Sequence, residues 1–149
     1  MESKSKIAVI TGGSRGLGKN MALRLAKQGC DVIITYLTKK EEASAVVTEI
    51  ETIGQKGIAI QFDVGDISAL DGFIERLSQA LSANWGTTSF DYLINNAGFG
   101  ASLSFTQVTE SDFDHFMNVH FKGVFFLTQK LLPHINDFGR IVNISSNTA

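Results

Sequence analysis

Glycines follow a short apolar run near the start of the chain, in the stretch Ile7-Ala8-Val9-Ile10-Thr11-Gly12-Gly13-Ser14-Arg15-Gly16-Leu17-Gly18. An amphipathic segment with apolar residues at 21, 22, 25 and 26 comes directly after it. This order predicts a strand, a tight turn and the start of a helix, an arrangement that binds phosphate groups. Glycines let the backbone turn sharply and approach a ligand, and the free N–H groups of the first helical turn point at the anion.

The glycine spacing leaves three interpretations open. Gly12, Gly16 and Gly18 form G-x-x-x-G-x-G, which differs from the G-x-G-x-x-G of most dinucleotide-binding folds. Read one glycine later, the stretch is G-x-x-x-x-G-K ending at Lys19, but Asn20 stands where a triphosphate-binding loop needs a Ser or Thr hydroxyl. The stretch is therefore a dinucleotide site, a triphosphate site or a plain turn.

Length and composition restrict the class of protein. The 149 residues fit one domain with a substantial core, and 44% hydrophobic and 19% charged residues are typical of a soluble globular protein. A net charge of -2 gives no reason to expect nucleic acid or an anionic membrane as a partner, so we expect neither. The start is polar, no apolar run has membrane-spanning length, and the one cysteine, Cys30, forms no internal disulfide. We expect a cytoplasmic protein, and no ligand spacing suggests a metal.

The rest of the chain predicts alternating strands and helices. Strands are expected at 31–36, 57–63, 90–95 and 140–145, with helices to about 53, from 66 to about 81, and from 109 to about 132. Thr38–Glu41 and Thr109–Asp112 have the pattern of capping boxes. Such alternation predicts an α/β, doubly wound parallel sheet with right-handed crossovers, in the order 3-2-1-4-5.

Polar and glycine residues collect at one edge of this predicted sheet. Residues 12–18, Tyr36, Asp63 and Asn96 all follow the ends of strands. In such sheets ligands bind in the crevice at the carboxyl ends of the strands, where the winding reverses. The shared location favours the dinucleotide interpretation.

Further motifs carry a resemblance to a known family. They are Thr11-Gly12-x-x-x-Gly16-x-Gly18, Asp63-Val64, Asn95-Asn96-Ala97-Gly98, Gly123-Val124-Phe125 and Ile141-Val142-Asn143-Ile144-Ser145-Ser146. In this order the chain resembles the short-chain dehydrogenase/reductase family along its whole length. The resemblance implies a three-layer Rossmann fold and an NAD(P)-dependent oxidoreductase, and it leaves little room for the triphosphate interpretation.

The resemblance also implies the residues that bind the coenzyme. The turn 12–18 would hold the pyrophosphate with Leu17 near the nicotinamide, Asp63 and Val64 would hold the adenine, and 96–98 would line the ribose. The alternative for Asp63 is that it only caps the following turn. The full set of expected cofactor-binding residues is Gly12, Ser14, Arg15, Gly16, Leu17, Gly18, Tyr36, Asp63, Val64, Asn96, Ala97 and Gly98.

Two residues are expected to be catalytic. Ser146 matches the serine that hydrogen-bonds the substrate oxygen in the family. His120 stands three residues before Gly123, where the family usually has an asparagine that kinks its helix and holds a water of the proton relay. An imidazole also offers a donor and an acceptor, so His120 is expected to serve this relay, or else to be an ordinary packed residue.

The family's remaining catalytic pair, a tyrosine and a lysine four residues apart, would follow the serine by about a dozen positions. The sequence reaches Ala149 before either. We therefore expect residues 1–149 to be the NAD(P)-binding Rossmann domain of a longer enzyme. The alternative is a truncated, non-catalytic dinucleotide-binding or regulatory module.

The end of the second strand indicates which coenzyme is used. Enzymes that use NAD place an acid there for the ribose hydroxyls, whereas this chain has Tyr36, with Arg15 in the glycine turn and Lys39 and Lys40 just beyond. These cations favour NADP(H) over NAD(H). The predicted function is an NADP(H)-dependent carbonyl reductase or alcohol dehydrogenase acting on a small-molecule carbonyl or alcohol.

The segment from 109 to 132 predicts self-association. At about 100° per residue, Phe113, Met117, Val124 and Leu131 share one side of a helix, while Phe126 points nearly opposite. A helix that is apolar over most of its circumference must be covered on more than one side, and a sheet covers one. The resemblance implies that this helix pairs with a second subunit, so the pattern predicts a homo-oligomer, a dimer or tetramer. The alternative is that a later part of the same subunit covers this side of the helix.

Overall fold

A computed structural model describes residues 5–100 and 102–146. Its sheet has the strand order β3-β2-β1-β4-β5, and all neighbouring strands are parallel. The strands are β1 Ile7–Ile10, β2 Asp31–Tyr36, β3 Gly57–Gln61, β4 Phe90–Asn95 and β5 Ile135–Asn143. The predicted α/β class and strand order are confirmed.

Helices connect the strands. They are α1 Gly16–Lys27, α2 Lys40–Ile53, α3 Leu70–Trp85, α4 Glu110–Met117 and α5 Gly123–Leu131. A π-helical turn, Asn118–Lys122, joins α4 to α5, so the single helix expected from 109 to 132 is interrupted. Short 3-10 turns occur at Ile67–Ala69, Phe105–Gln107 and Leu132–His134. Within the described ranges, none of the helices combines the length and apolar character needed to cross a membrane.

Helices cover both faces of the sheet at its centre, which makes three layers: β1, β2 and β4 are buried along nearly their whole length, whereas β5 is half-buried to exposed. Apolar residues of α3 and α5, such as Phe73 and Leu127, pack on one face with Val9 and Leu93. Small and branched residues of α1 and α2 pack on the other face with Ile10 and Ile34. Successive residues of β1 therefore enter different cores, because side chains alternate across a strand. Double coverage explains why the strands are nearly continuous apolar runs.

One of the two predicted capping boxes is present. Thr109 Oγ1 accepts a hydrogen bond from the Asp112 N–H at 3.2 Å, and Asp112 Oδ2 accepts one from the Thr109 N–H at 3.0 Å. The box expected at Thr38 is wrong. The N-cap of α2 is Lys39, whose side chain makes no capping bond, and the Thr38 carbonyl instead accepts from the Lys40 N–H.

The last strand begins five residues earlier than expected, at Ile135. Ile135 pairs with Phe90 and Arg140 with Tyr92, so the pairing with β4 shifts register and the residues between bulge out. Phe138, in this bulge, has a φ of 64°, in the left-handed region. The start of this strand was not predicted because residues 136–139 include polar residues and a glycine and therefore do not form an apolar run.

Candidate functional site

A cavity of about 460 Å³ lies at the carboxyl ends of β1, β2, β3 and β4. Every one of the expected cofactor-binding residues lines it: Gly12, Ser14, Arg15, Gly16, Leu17, Gly18, Tyr36, Asp63, Val64, Asn96, Ala97 and Gly98. Residues outside the expected cofactor-binding set complete the wall: Thr35, Leu37, Thr38, Lys39, Phe62, Phe99, His115 and Val119. The topology thus brings together motifs that are far apart in the chain.

The glycine turn is shaped for a ligand. Gly16 lines the cavity with a φ of 55°, and a Cβ added there would stand in open space. A side chain at Gly16 would be strained in this conformation and would occupy the cavity. At Gly18, a Cβ would come within 2.2 Å of the Gly12 carbonyl oxygen, so only glycine lets α1 begin directly on the turn. The N-cap residue Arg15 makes no side-chain bond to the first turn of α1.

Hydrogen bonds fix the glycine turn to its neighbouring strands. Gly12 N–H donates to Thr35 Oγ1 at 3.2 Å, and Gly13 N–H donates to the Thr35 carbonyl at 2.9 Å. Thr11 Oγ1 accepts from the Asn96 and Ala97 N–H groups, both at 3.0 Å. The turn after β1 is therefore held by β2 on one side and by the segment after β4 on the other.

The Asn96 side chain completes this connection. Its Nδ2 donates to the carbonyls of Thr11 at 3.0 Å and Gly12 at 3.1 Å. Asn96 thus both lines the cavity and positions the turn. Thr11 and Thr35 are buried positioning residues that the sequence analysis did not assign. Thr11 belongs to the glycine motif that carries the family resemblance, but the bonds that give both threonines their roles become visible only when the strands are paired.

Cationic side chains line the cavity. Arg15 and Lys39 lie on its wall together with Tyr36, whereas Lys40 is not among the lining residues. Among the described residues that line the cavity, Asp63 is the only carboxylate. An acid at the end of β2 would bind ribose hydroxyls and repel a 2′-phosphate, and Tyr36 occupies that place instead.

The Asp63 side chain both caps a turn and lines the cavity. Its Oδ1 accepts from the Gly65 N–H at 2.8 Å, so the carboxylate caps the turn after β3, as the alternative interpretation expected. It also lines the cavity together with the buried Val64. Capping fixes the orientation of the carboxylate without removing it from the wall.

Lys19 does not take part in the site. Its Nζ lies 2.7 Å from Glu49 Oε1 on α2, and Lys19 does not line the cavity. A triphosphate-binding loop needs this lysine on the phosphates. The structure therefore gives the triphosphate interpretation no support.

The two expected catalytic residues are not among the residues that line the cavity. Ser146 follows β5, where Ile144 N–H donates to the Asn95 carbonyl at 2.9 Å and so keeps the chain beside the end of β4. His120 lies in the π-helical turn, with Nε2 at 2.9 Å from the Phe99 carbonyl oxygen. His115, which the sequence indicated only as a surface or packing residue, stacks on Phe99 and lines the cavity.

Known proteins share both the sequence and this architecture. A "Short chain dehydrogenase" of Claviceps purpurea is 36% identical over 144 residues, which are 97% of this chain and 52% of that protein. A crystal structure of the landomycin C-6 ketoreductase LanV with bound NADP and rabelomycin matches with a TM-score of 0.92 and 36% identity, over 95% of this chain and 58% of that one. A short chain dehydrogenase from Burkholderia cenocepacia in complex with NADP matches with a TM-score of 0.86 and 39% identity, over 95% and 56%.

The chain spans about half the length of the curated relatives it matches, 52% for the Claviceps protein. The family model described as "short chain dehydrogenase" matches residues 6–149. This match includes the glycine turn, the Asn96–Gly98 segment and the strand that precedes Ser146. The chain belongs to the short-chain dehydrogenase family of oxidoreductases.

Proposed function

We propose that the protein is an NADP(H)-dependent oxidoreductase that transfers a hydride between the nicotinamide and a carbonyl or alcohol substrate. One observation carries the proposal: a single cavity is lined by the glycine turn, by the cationic residues Arg15 and Lys39, and by the Asn96–Gly98 segment. Structural neighbours with bound NADP, LanV and the Burkholderia dehydrogenase, support the same coenzyme.

The residues on the wall fit a dinucleotide phosphate. The open side of Gly16 and the uncapped start of α1 would receive the pyrophosphate. Asp63 would accept from the adenine amine, and Arg15 and Lys39 would contact the 2′-phosphate. Leu17, 56% exposed on the wall, would cover the nicotinamide side. When bound, the nicotinamide supplies or accepts the hydride.

Ser146 would donate a hydrogen bond to the substrate oxygen. A donor at this oxygen stabilises the charge that develops when a carbonyl is reduced. We propose that the proton comes from a tyrosine and lysine pair in sequence after residue 149, so that the described residues form the coenzyme-binding part of the enzyme.

We also propose a homo-oligomer. Several large apolar side chains of the α4–α5 segment are exposed: Phe113, Phe116, Met117, Phe121 and Phe125. Several large exposed apolar side chains on one segment are typical of a protein–protein contact.

Coenzyme binding and oxidation test the proposed function. In the intact protein, NADPH should bind at least ten times more tightly than NADH, since the 2′-phosphate adds charge-assisted hydrogen bonds of roughly 1.5–3 kcal/mol. NADPH should be consumed with a panel that includes aliphatic and polycyclic aromatic ketones. Binding without consumption would favour the non-catalytic module, and no binding of either coenzyme would refute the proposal.

A further inference from the structure

The loop between β2 and α2 forms one part of the cavity wall. Leu37, Thr38 and Lys39 of this loop all line the cavity. The N-cap residue of α2 is Lys39, and its side chain makes no bond to the first turn of the helix. Contacts from other elements therefore matter for the position of the loop.

Gln61, the last residue of β3, reaches this loop. Tyr36 pairs with Gln61 at the end of the parallel ladder, and the Phe62 N–H donates to the Tyr36 carbonyl at 2.9 Å. One residue after Tyr36, the Gln61 side chain continues the pairing, because its Nε2 donates to the Leu37 carbonyl at 2.8 Å. A side-chain amide thus holds the backbone of the loop where the main-chain ladder ends.

Gln61 is itself held by α3. β3 lies at an edge of the described sheet, so its outer backbone groups need partners other than a strand. The Gln61 carbonyl accepts from Arg76 Nη2 at 2.9 Å. Three residues before Arg76, the buried Phe73 stacks on Phe62, with ring centroids 4.1 Å apart. α3 therefore fixes the end of β3 through Phe73 in the core and through Arg76 at the edge.

The two hydrogen bonds of Gln61 lie outside the core. Gln61 and Arg76 are exposed and line a second cavity of about 580 Å³, which shares Leu37, Phe62 and Asp63 with the first. A substitution at Gln61 can therefore release the loop while the stacked rings in the core stay in place.

We propose that Gln61, anchored by Arg76, is a positioning residue that places Lys39 for the 2′-phosphate and so contributes to the preference for NADP(H). The contacts run from α3 through Gln61 to the Leu37 carbonyl, two residues before Lys39. NADH has no 2′-phosphate, so a displaced loop should weaken NADPH binding more than NADH binding. This effect on the coenzyme rests on the proposed function, whereas the effect on the loop does not.

Gln61→Met is the test variant, because methionine is unbranched like glutamine and has no hydrogen-bond donor. Gln79→Met is the matched control. Gln79 on α3 also makes an exposed side-chain bond, from its Nε2 to Glu75 Oε1 at 3.3 Å, and it is not among the residues that line either cavity.

Hydrogen exchange at residues 37–40, measured by mass spectrometry on the intact protein without coenzyme, tests the hold on the loop. Gln61→Met should raise exchange there about two- to tenfold, as the loss of one neutral hydrogen bond implies. Gln79→Met should leave this segment unchanged. Unchanged exchange in Gln61→Met would overturn the proposal, because the loop would then be held without Gln61.

A double-mutant cycle with Lys39 tests the route to the coenzyme. Gln61→Met should raise the NADPH dissociation constant about two- to tenfold and leave the NADH constant within about twofold of wild type. In a Lys39→Ala background, the same substitution should change the NADPH constant by less than about twofold, because the cation to be placed is gone. Equal effects of Gln61→Met with and without Lys39 would overturn the proposal.

Failure of the proposed function would give a different result. A wild-type protein that binds neither NADPH nor NADH would refute the coenzyme assignment and with it the effect on coenzyme preference. The exchange at residues 37–40 would still decide whether Gln61 holds the loop.

Discussion

At the scale of single residues, we expect coenzyme choice to depend on Arg15, Tyr36 and Lys39, which line the same cavity. Arg15→Ala should weaken NADPH binding by roughly ten- to a hundredfold, because a charge-assisted hydrogen bond to the 2′-phosphate contributes about 1.5–3 kcal/mol. NADH has no such phosphate, so its affinity should change little. Tyr36→Asp should reverse the preference, since a carboxylate would bind the ribose hydroxyls and repel the phosphate. The measurement is the ratio of the NADPH and NADH dissociation constants.

Lys39 and Lys40 form a matched pair for this experiment. They are adjacent, but only Lys39 lies on the cavity wall. Lys39→Ala should lower the NADPH/NADH preference and Lys40→Ala should not. Equal effects of the two would mean that general positive charge, not contact, sets the preference.

A substitution at Gly16 can distinguish a role of the turn in binding the coenzyme from a role in folding. Gly16→Val should abolish NADPH binding, because the side chain would stand in the cavity, while the protein still unfolds cooperatively. Gly86→Val is the control: Gly86 has a φ of 63° against 55° at Gly16, and neither has an atom within 4 Å of an added Cβ. Both should lose about 1–2 kcal/mol of stability. Calorimetry and NADPH titration of the two variants give the comparison, and wild-type affinity of Gly16→Val would contradict it.

Site residues that belong to short sequence motifs could be predicted from the sequence, whereas residues that act through contacts between distant segments could not. The glycine turn, Asp63-Val64 and Asn96–Gly98 can be found because each is a short pattern after an apolar run, and all line the cavity. Thr11 bonds to Asn96, 85 positions away, and no local pattern reports that contact. His115 reaches the wall by stacking on Phe99, which is a tertiary contact as well.

At the scale of elements, Asp91 joins three strands at their amino ends. Its Oδ2 accepts from the Ile7 N–H at 2.9 Å, and its Oδ1 accepts from Lys6 Nζ at 2.9 Å and from Asn136 Nδ2 at 3.2 Å. Burial acts to raise the pKa of Asp91, but these hydrogen bonds outweigh it and hold the pKa below its ordinary value. The ionised carboxylate therefore stabilises the folded state.

The lowered pKa of Asp91 makes the stability of the protein depend on pH. The stabilisation by the ionised Asp91 carboxylate is fully present above the ordinary aspartate pKa of about 3.9, and it is lost as the pH falls through the lower pKa of the folded state. Asp91→Asn should lower the free energy of unfolding at neutral pH by about 1–3 kcal/mol and reduce the loss between neutral and acid pH. Urea titrations at several pH values measure both effects.

Lys6→Met is the control for Asp91→Asn, because it removes the ion pair and keeps the bonds of Asp91 to Ile7 and Asn136. The Lys6 side chain is 57% exposed, so its ion pair should contribute less than about 1 kcal/mol. A cost for Lys6→Met as large as that for Asp91→Asn would show that the ion pair, not the bonds to Ile7 and Asn136, holds the strands.

The π-helical turn marks the limit of prediction from helical periodicity. Regular spacing places Phe113, Met117 and Leu131 on one side, but Phe113 is 58% exposed and Met117 41%, whereas Leu131 is fully buried. A π-helical turn adds a residue to the helix, so the sides before and after it differ by about 100°. Periodicity identified a helical segment that is apolar all round, and the inserted turn decided which apolar residues face the core.

At the scale of the whole molecule, the exposed apolar side of α4 and α5 should join subunits. Phe121 and Phe125 are 65% and 55% exposed, and burying such rings in a contact contributes about 1.5–3 kcal/mol each. The intact protein should sediment as a dimer or tetramer at micromolar concentration. Phe125→Glu should weaken this association by at least tenfold, because it places a charge in the contact.

Phe138→Glu is the control for association. Phe138 is 92% exposed, but it lies in the bulge of β5, away from the helices. This variant should keep the assembly of the wild-type protein. A monomeric wild type, or equal dissociation by both substitutions, would contradict an interface at α4 and α5.

The bonds between Thr11 and Asn96 also determine when the site forms during folding. Synthesis delivers β1, β2 and β3 first, and β1 then has one edge that only β4 fills. The two walls of the cavity lie 85 positions apart in sequence, so they meet after a long loop has closed, which is a slow event. The proposed coenzyme would bind only the state in which β4 has docked, and at a hundred times its dissociation constant it would stabilise that state by about 2.7 kcal/mol. Cellular NADPH would then act on the final stage of maturation, lengthening the lifetime of chains that have completed this pairing.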